Sequence, residues 1–279
     1  MTTKHRTCPP RIAAATVVLA LFGSGCGSFE GNEQFFSNLI EPLVAPTPLE
    51  AAQDLWNVYD PDKPRRAVAL ISASPFGGEQ AYVSAYRLLI TDRDATVRAA
   101  CTKALGAHGS VEDAQLISPL VRQKREEAAF VRWEAAKALQ RIHNPIAIDP
   151  LMSALKDDDD ADVRMAAAEA LGQYARPAVF DALVGALADV NFGVAVAARR
   201  SLVTLTGQDL GHDSAPWMSW ANQHRPALFI GRRPYAYQPY VRPDGWLDKI
   251  QFWKEKKQDG PQPPVGMEAA GTHASAPTG

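Results

Sequence analysis

The stretch "ADVRMAAAEALGQYARPAVFDALVGALAD", residues 161–189, opens on Val-Arg after a run of aspartates, is dense in alanine, and turns once near Pro177. Its opening recurs along the chain as "VRAACTKAL" (97–105), "VRWEAAKAL" (131–139) and, in weaker form, "VAVAARRSL" (194–202). Every copy has Val first, Ala or Ser eighth and Leu ninth, at successive intervals of 34, 32 and 31 residues. Composition alone does not produce four matches at a near-constant period, so the chain is a repeat array.

Within each copy the Val, a small residue four places on and the small-Leu pair recur at helical spacing and mark one apolar face. Alanine dominates because adjacent helices must approach closely. Gly106 and Gly172 follow the helical Leu, where a left-handed cap costs glycine little. A second helix is expected through "ISPLV" (117–121), "IDPLM" (148–152) and "FDALV" (180–184), with Pro119 and Pro150 in its first turn, where an amide has no helical partner. Cys101 aligns with Ala135, Ala167 and Ala198, so it is read as a small buried hydrophobe instead of a redox thiol.

Six residues before Arg98, Arg132 and Arg164 stand Asp92, Glu126 and Asp158; the fourth copy keeps Asp189 but carries Ala195 in the arginine position. An acid six residues ahead of a Val-Arg helix start, in units of this length, resembles the HEAT-like repeats also named after phycobilisome lyases. The resemblance covers roughly residues 60–223. It implies that Asp92, Glu126, Asp158, Arg98, Arg132 and Arg164 form a structural ladder between adjacent repeats, ending where Ala195 replaces arginine.

The flanks complete the expected organisation. "DPDKPRRAVAL" (60–70) looks like a degenerate first repeat that keeps Asp60 and Arg66, and "TPLEAAQDLW" (47–56) like a capping helix. Trp217 and Trp220 in "TGQDLGHDSAPWMSW" (206–220) suit an end repeat that must cover its own core. The expected fold is all-α: a short right-handed α-solenoid of about five HEAT-like hairpins over 47–224. An extended Pro- and Tyr-rich segment and an amphipathic helix, "GWLDKIQFWKEKKQ" (245–258), make up 225–258. The helix is read either as a cap docked on the solenoid or as a membrane-surface helix. From 259 to 279 the chain is Pro-, Gly-, Ala- and Ser-rich and expected to be disordered.

Residues 1–25 read as a signal peptide. Lys4, Arg6 and Arg11 precede the uncharged run Ile12–Phe22, whose 11 residues are too few to span a bilayer as a helix. Ser24 and Gly25 directly before Cys26 resemble a bacterial lipobox, with Gly23 departing from the usual leucine. Cys26 is then the lipidation site, residues 26–46 a spacer, and the protein a membrane-anchored envelope lipoprotein. The plainer alternative is secretory cleavage near Gly25.

No catalytic motif is present. The histidines are scattered, there is no His-Glu-x-x-His or Cys-x-x-Cys, and phosphate loops and Gly-x-Ser-x-Gly are missing. "DDDDAD" (157–162) lacks the alternating ligands of a calcium loop and is read as a solvated turn. The formal charge of −2, more negative once the N-terminal cations are cleaved, argues against nucleic acid as a ligand. The expectation is therefore a monomeric, cofactor-free scaffold, not an enzyme, that binds a partner protein through a concave face. Ser118, Asp149 and Asp181 form one outward column, and Arg122, Ser153 and Gly185 a second. An ordinary solvated face explains the same residues. The competing class is a lyase-like enzyme or enzyme accessory holding a small ligand between repeats.

Overall fold

The computed structural model describes residues 48–238 and 260–267. The expected signal peptide, Cys26, the spacer and the helix at 245–258 lie outside them. Among the described residues eleven α-helices follow one another. A leading helix, α1 (Pro48–Asp54), precedes five hairpins: α2 (Asp62–Ser72) with α3 (Gln80–Leu89), α4 (Ala95–His108) with α5 (Ala114–Ile117), α6 (Ala129–Arg141) with α7 (Ile148–Asp157), α8 (Ala161–Leu171) with α9 (Pro177–Ala186), and α10 (Phe192–Thr206) with α11 (Ser214–His224). The first helices stack on one another in chain order, α2 on α4, α6, α8 and α10. The second helices form the other layer, with α7 on α9 and α9 on α11. The fold is an all-α solenoid.

Three of the five hairpins start where an Asx side chain takes up orphan amides of the coming helix. Asp94 accepts from the Thr96 amide, Asp160 from the amides of Asp162 and Val163, and Asn191 from Gly193. Only α6 among these inner repeats begins without such a cap, on Ala128. The core is the seam between the layers. Cys101, Ala135, Ala167 and Ala198 are all fully buried in it, and burial pushes the Cys101 thiol up to about 12, so it is not a thiolate at neutral pH. Ala167→Leu adds three carbons to this packed position. It is expected to cost roughly 1–3 kcal/mol by overpacking, and a thermal melt superimposable on wild type would refute the inward placement.

Two glycine expectations change. Gly106 lies inside α4 and Gly172 has φ −58°, so neither is left-handed. At Gly106 a Cβ would sit 2.8 Å from the Ala138 Cβ: glycine is there to let α4 meet α6. The left-handed cap is instead Gly207, at φ 77°, which ends α10 against the backbone of Gly231.

The second helix of the α4 hairpin also departs from expectation. Pro119 has no amide to donate, and the segment divides into a 3-10 turn at Val111–Asp113, the one-turn α5, and a second 3-10 turn at Ser118–Val121. Pro150, by contrast, sits in the first turn of the ten-residue α7.

Part of the expected disordered tail is ordered. Residues 231–238 and 260–267 run together across the edge where the first helices end. Tyr237 and Gln262 exchange both backbone hydrogen bonds, at 2.9 and 3.0 Å. The Val265 amide donates to the Arg141 carbonyl, and the His143 amide to the Val265 carbonyl, both at 2.8 Å. The Arg233 amide reaches the Thr204 carbonyl, and the Tyr235 hydroxyl the Glu169 carbonyl. The reason is general: the last carbonyls of every helix lack intrahelical donors, and a row of helix ends gives an extended chain a ladder of acceptors. Composition says that a segment cannot build a core; it does not reveal that a partner surface is waiting.

Candidate functional site

The acid–arginine pairs lie at the turns between hairpins. Arg98 forks onto Glu126 through Nε and Nη2, both at 2.7 Å. Arg132 does the same to Asp158 at 2.7 and 2.9 Å, and Arg164 to Asp189 at 2.8 and 3.0 Å. The remaining Nη1 of each arginine donates back to the carbonyl of the acid six residues earlier: Asp92, Glu126 and Asp158 in turn. Each carboxylate also accepts the amide two residues on, closing its own turn. Asp92 heads the series; its carboxylate closes on the Asp94 amide, and the forked pairs of this ladder begin at Arg98. Ala195, where the next arginine would stand, is buried.

Burial pushes the Glu126 carboxyl up, but the Arg98 fork and the Ala128 amide outweigh it and hold the group below the usual carboxylate range. The Arg164 fork, opposed by partial burial, likewise lowers Asp189. Three of the five acids of "DDDDAD" are spoken for locally: Asp158 by Arg132, Asp159 by the Gln123 side chain at 2.6 Å, and Asp160 by the start of α8. No group of three or more His, Cys, Asp or Glu positioned for a metal occurs among the described residues.

On the second-helix layer, Asp149 and Ser153 are exposed one turn apart on α7, and Asp181 and Gly185 are exposed one turn apart on α9. Ser118 is not on this face. It is buried, its hydroxyl without a hydrogen-bond partner, because the 3-10 turn advances each residue by more than an α-helix does and swings position 118 inward. Arg122, just past that turn, is exposed.

Arg122 and Ser153 come together at a concavity of about 670 Å³ between the second and third hairpins, which Lys124, Arg125 and Asp157 also line. The sequence reading named Arg122 and missed the other two cations. The extra residues of the 34-residue interval lie earlier, between Leu105 and Ile117, so the repeat spacing carries no signal of this loop. A second concavity, about 630 Å³, is roofed by the C-terminal strap. Its polar groups are engaged with the protein itself: His143 Nδ1 lies 3.0 Å from Gln173 Oε1, and the Gln173 amide donates to the carbonyls of Leu139 and Ala170.

Comparison with known proteins agrees with this architecture. Residues 123–203 match the family model described as HEAT repeats. Among solved structures, the chain is similar to an engineered protein at 21% identity and a TM-score of 0.44, covering 57% of this chain and 79% of that one. It is also similar to the complex of CpcE and CpcF of phycocyanin lyase from Nostoc sp. PCC7120, at 19% identity and a TM-score of 0.44, covering 55% of this chain and 96% of that one. Curated proteins give no match. The chain thus carries a HEAT-like repeat domain.

Proposed function

We propose that this protein is a non-catalytic scaffold of the bacterial cell envelope, tethered by a lipid on Cys26, that recognises a partner protein through the second-helix layer of its repeats. One observation carries the recognition reading. Exposed polar positions recur at matching places on consecutive second helices, Asp149 and Ser153 on α7 and Asp181 on α9, beside the concavity that Arg122 enters. Stacked repeats offer such a row as an extended, rigid surface, and rigidity lowers the ordering cost of binding.

The experiment is photocrosslinking in native membranes from a reactive residue placed at Asp149 or Asp181, with Lys103 on α4 as the comparison site. One protein band shared by the first two positions and absent from the third is expected. Adducts that do not distinguish the three positions, or a copurifying chromophore with no protein adduct, would sink the scaffold reading. The tether has its own test. Cys26→Ser is expected to release the protein from the membrane fraction and to abolish acyl labelling, whereas unchanged fractionation with labelling retained would remove the lipid anchor from the proposal.

A further inference from the structure

We propose that the loop from Arg122 to Arg125 is the point at which the partner is recognised by charge, and that the partner presents a run of carboxylates there. The inference rests on the scaffold reading and adds the chemistry of the bound segment.

The connection between hairpins at this place is unlike the others. Seven residues separate Val121 from α6, against three between α7 and α8 and five between α9 and α10, because the second helix stops early. The longer connection is not spent on starting the next helix, since Ala128 supplies no side-chain cap. Nor is it loose. Gln123 donates to Asp159 at 2.6 Å on one side, Glu126 is held in the Arg98 fork on the other, and the Arg125 amide closes the turn on the Arg122 carbonyl at 2.9 Å.

Between these two fastenings stand Arg122, Lys124 and Arg125, all exposed and none forming a side-chain hydrogen bond or ion pair among the described residues. Asp157 lines the same concavity, yet none of the three pairs with it. Five arginines elsewhere are committed, Arg87, Arg98, Arg132, Arg164 and Arg199 each forking onto a carboxylate, whereas these three cations stand together at one concavity. Three unspent cations on a pinned loop, in a chain of net charge −2, form a preorganised anion receptor.

The broken second helix explains how the receptor is open. Where α7 and α9 each run for ten residues, α5 lasts a single turn and its 3-10 extension stops at Val121. The missing turns leave the concavity beside α7, and the exposed Ser153 contributes a hydroxyl to its wall. A chain segment can enter this depression and place carboxylates between the arginines. A flat anionic lipid surface would meet the acids at its border, Asp157 and Asp159, along with the cations. The observations therefore favour an acidic segment of a protein over a membrane.

The test uses the full-length protein in neutral detergent and a fluorescein-labelled octaglutamate peptide, read by anisotropy. Wild type is expected to bind, more weakly as salt rises because exposed ion pairs are screened. The triple variant Arg122→Gln/Lys124→Gln/Arg125→Gln is expected to lose about tenfold or more in affinity, since several charge-assisted contacts vanish together. It should keep the wild-type melt, because none of the three side chains is bonded. A triple of equal charge change, Arg176→Gln/Arg200→Gln/Arg225→Gln, is expected to stay within about twofold of wild type. Equal loss in both triples, no loss in the loop triple, or no binding by wild type would overturn the inference. So would loop-dependent binding of dioctanoylphosphatidylglycerol without peptide binding, which would assign the loop to lipid. If peptide binding fails while crosslinks from Asp149 and Asp181 persist, this inference falls and the scaffold reading stands. If peptide binds and the crosslinks fail, the scaffold reading falls.

Discussion

Arg132→Met is expected to destabilise the protein by about 3–5 kcal/mol. Arg132 and Asp158 are the most deeply buried of the forked pairs, with side chains 3% and 1% exposed. Removing the arginine leaves a carboxylate that must either remain charged in the seam between two hairpins or take up a proton. The Glu126 and Glu127 carbonyls lose their donor at the same time. Position matters as well: the pair joins the third and fourth hairpins, and in a repeat array stability resides largely in such nearest-neighbour contacts. The double variant Arg132→Met/Asp158→Asn should recover part of the loss, because asparagine removes the stranded charge and keeps an oxygen for the Asp160 amide. Arg98→Met is expected to cost less, its side chain being 18% exposed and open to rescue by water. Urea unfolding of the four proteins decides the matter. If the double variant is no more stable than Arg132→Met alone, the stranded charge is not the cause.

The array was legible because it is written in small residues at a fixed period. Val163, Ala167 and Leu171 recur with their counterparts at helical spacing, and one register accounts for four of the five stacked first helices, α4, α6, α8 and α10. The acid–arginine spacing was legible for the same reason, since both partners sit at constant offsets from the helix start. What escaped was everything that departs from the period. Ser118 was placed by aligning "ISPLV" with "IDPLM" as though both were α-helical. A proline two residues into the 3-10 turn of one motif, and in the first turn of a longer helix in the other, breaks that alignment. Lys124 and Arg125 align with Leu155 and Lys156 inside α7, and only the early end of the second helix at Val121, which the spacing does not reveal, leaves them in a loop. Val265 escaped because its partners, Arg141 and His143, lie more than a hundred residues earlier, and a single backbone bridge leaves no pattern in side chains.

Trp217→Ala is expected to be the other severe substitution, at about 3–5 kcal/mol. Trp217 is the largest fully buried side chain among the described residues. Its ring meets Phe180 of the preceding hairpin edge-on, with centroids 6.4 Å apart, and its Nε1 donates to the Gly211 carbonyl at 3.0 Å. This indole stands in for a next repeat: with no sixth hairpin among the described residues to cover α9 and α10, one large ring fills the space and ties the 207–213 connection over it. The loss should therefore be local as well as large. Hydrogen exchange is expected to show lost protection in α10 and α11 with α4 and α6 little changed, because each repeat contacts only its neighbours. Trp217→Phe keeps an aromatic contact and loses the Nε1 bond, so it should cost clearly less, while Trp220→Ala removes a half-buried ring stacked on His224 and should cost least. Uniform loss of protection along all five hairpins in Trp217→Ala would show that the array unfolds as one unit and that this end has no independent stability.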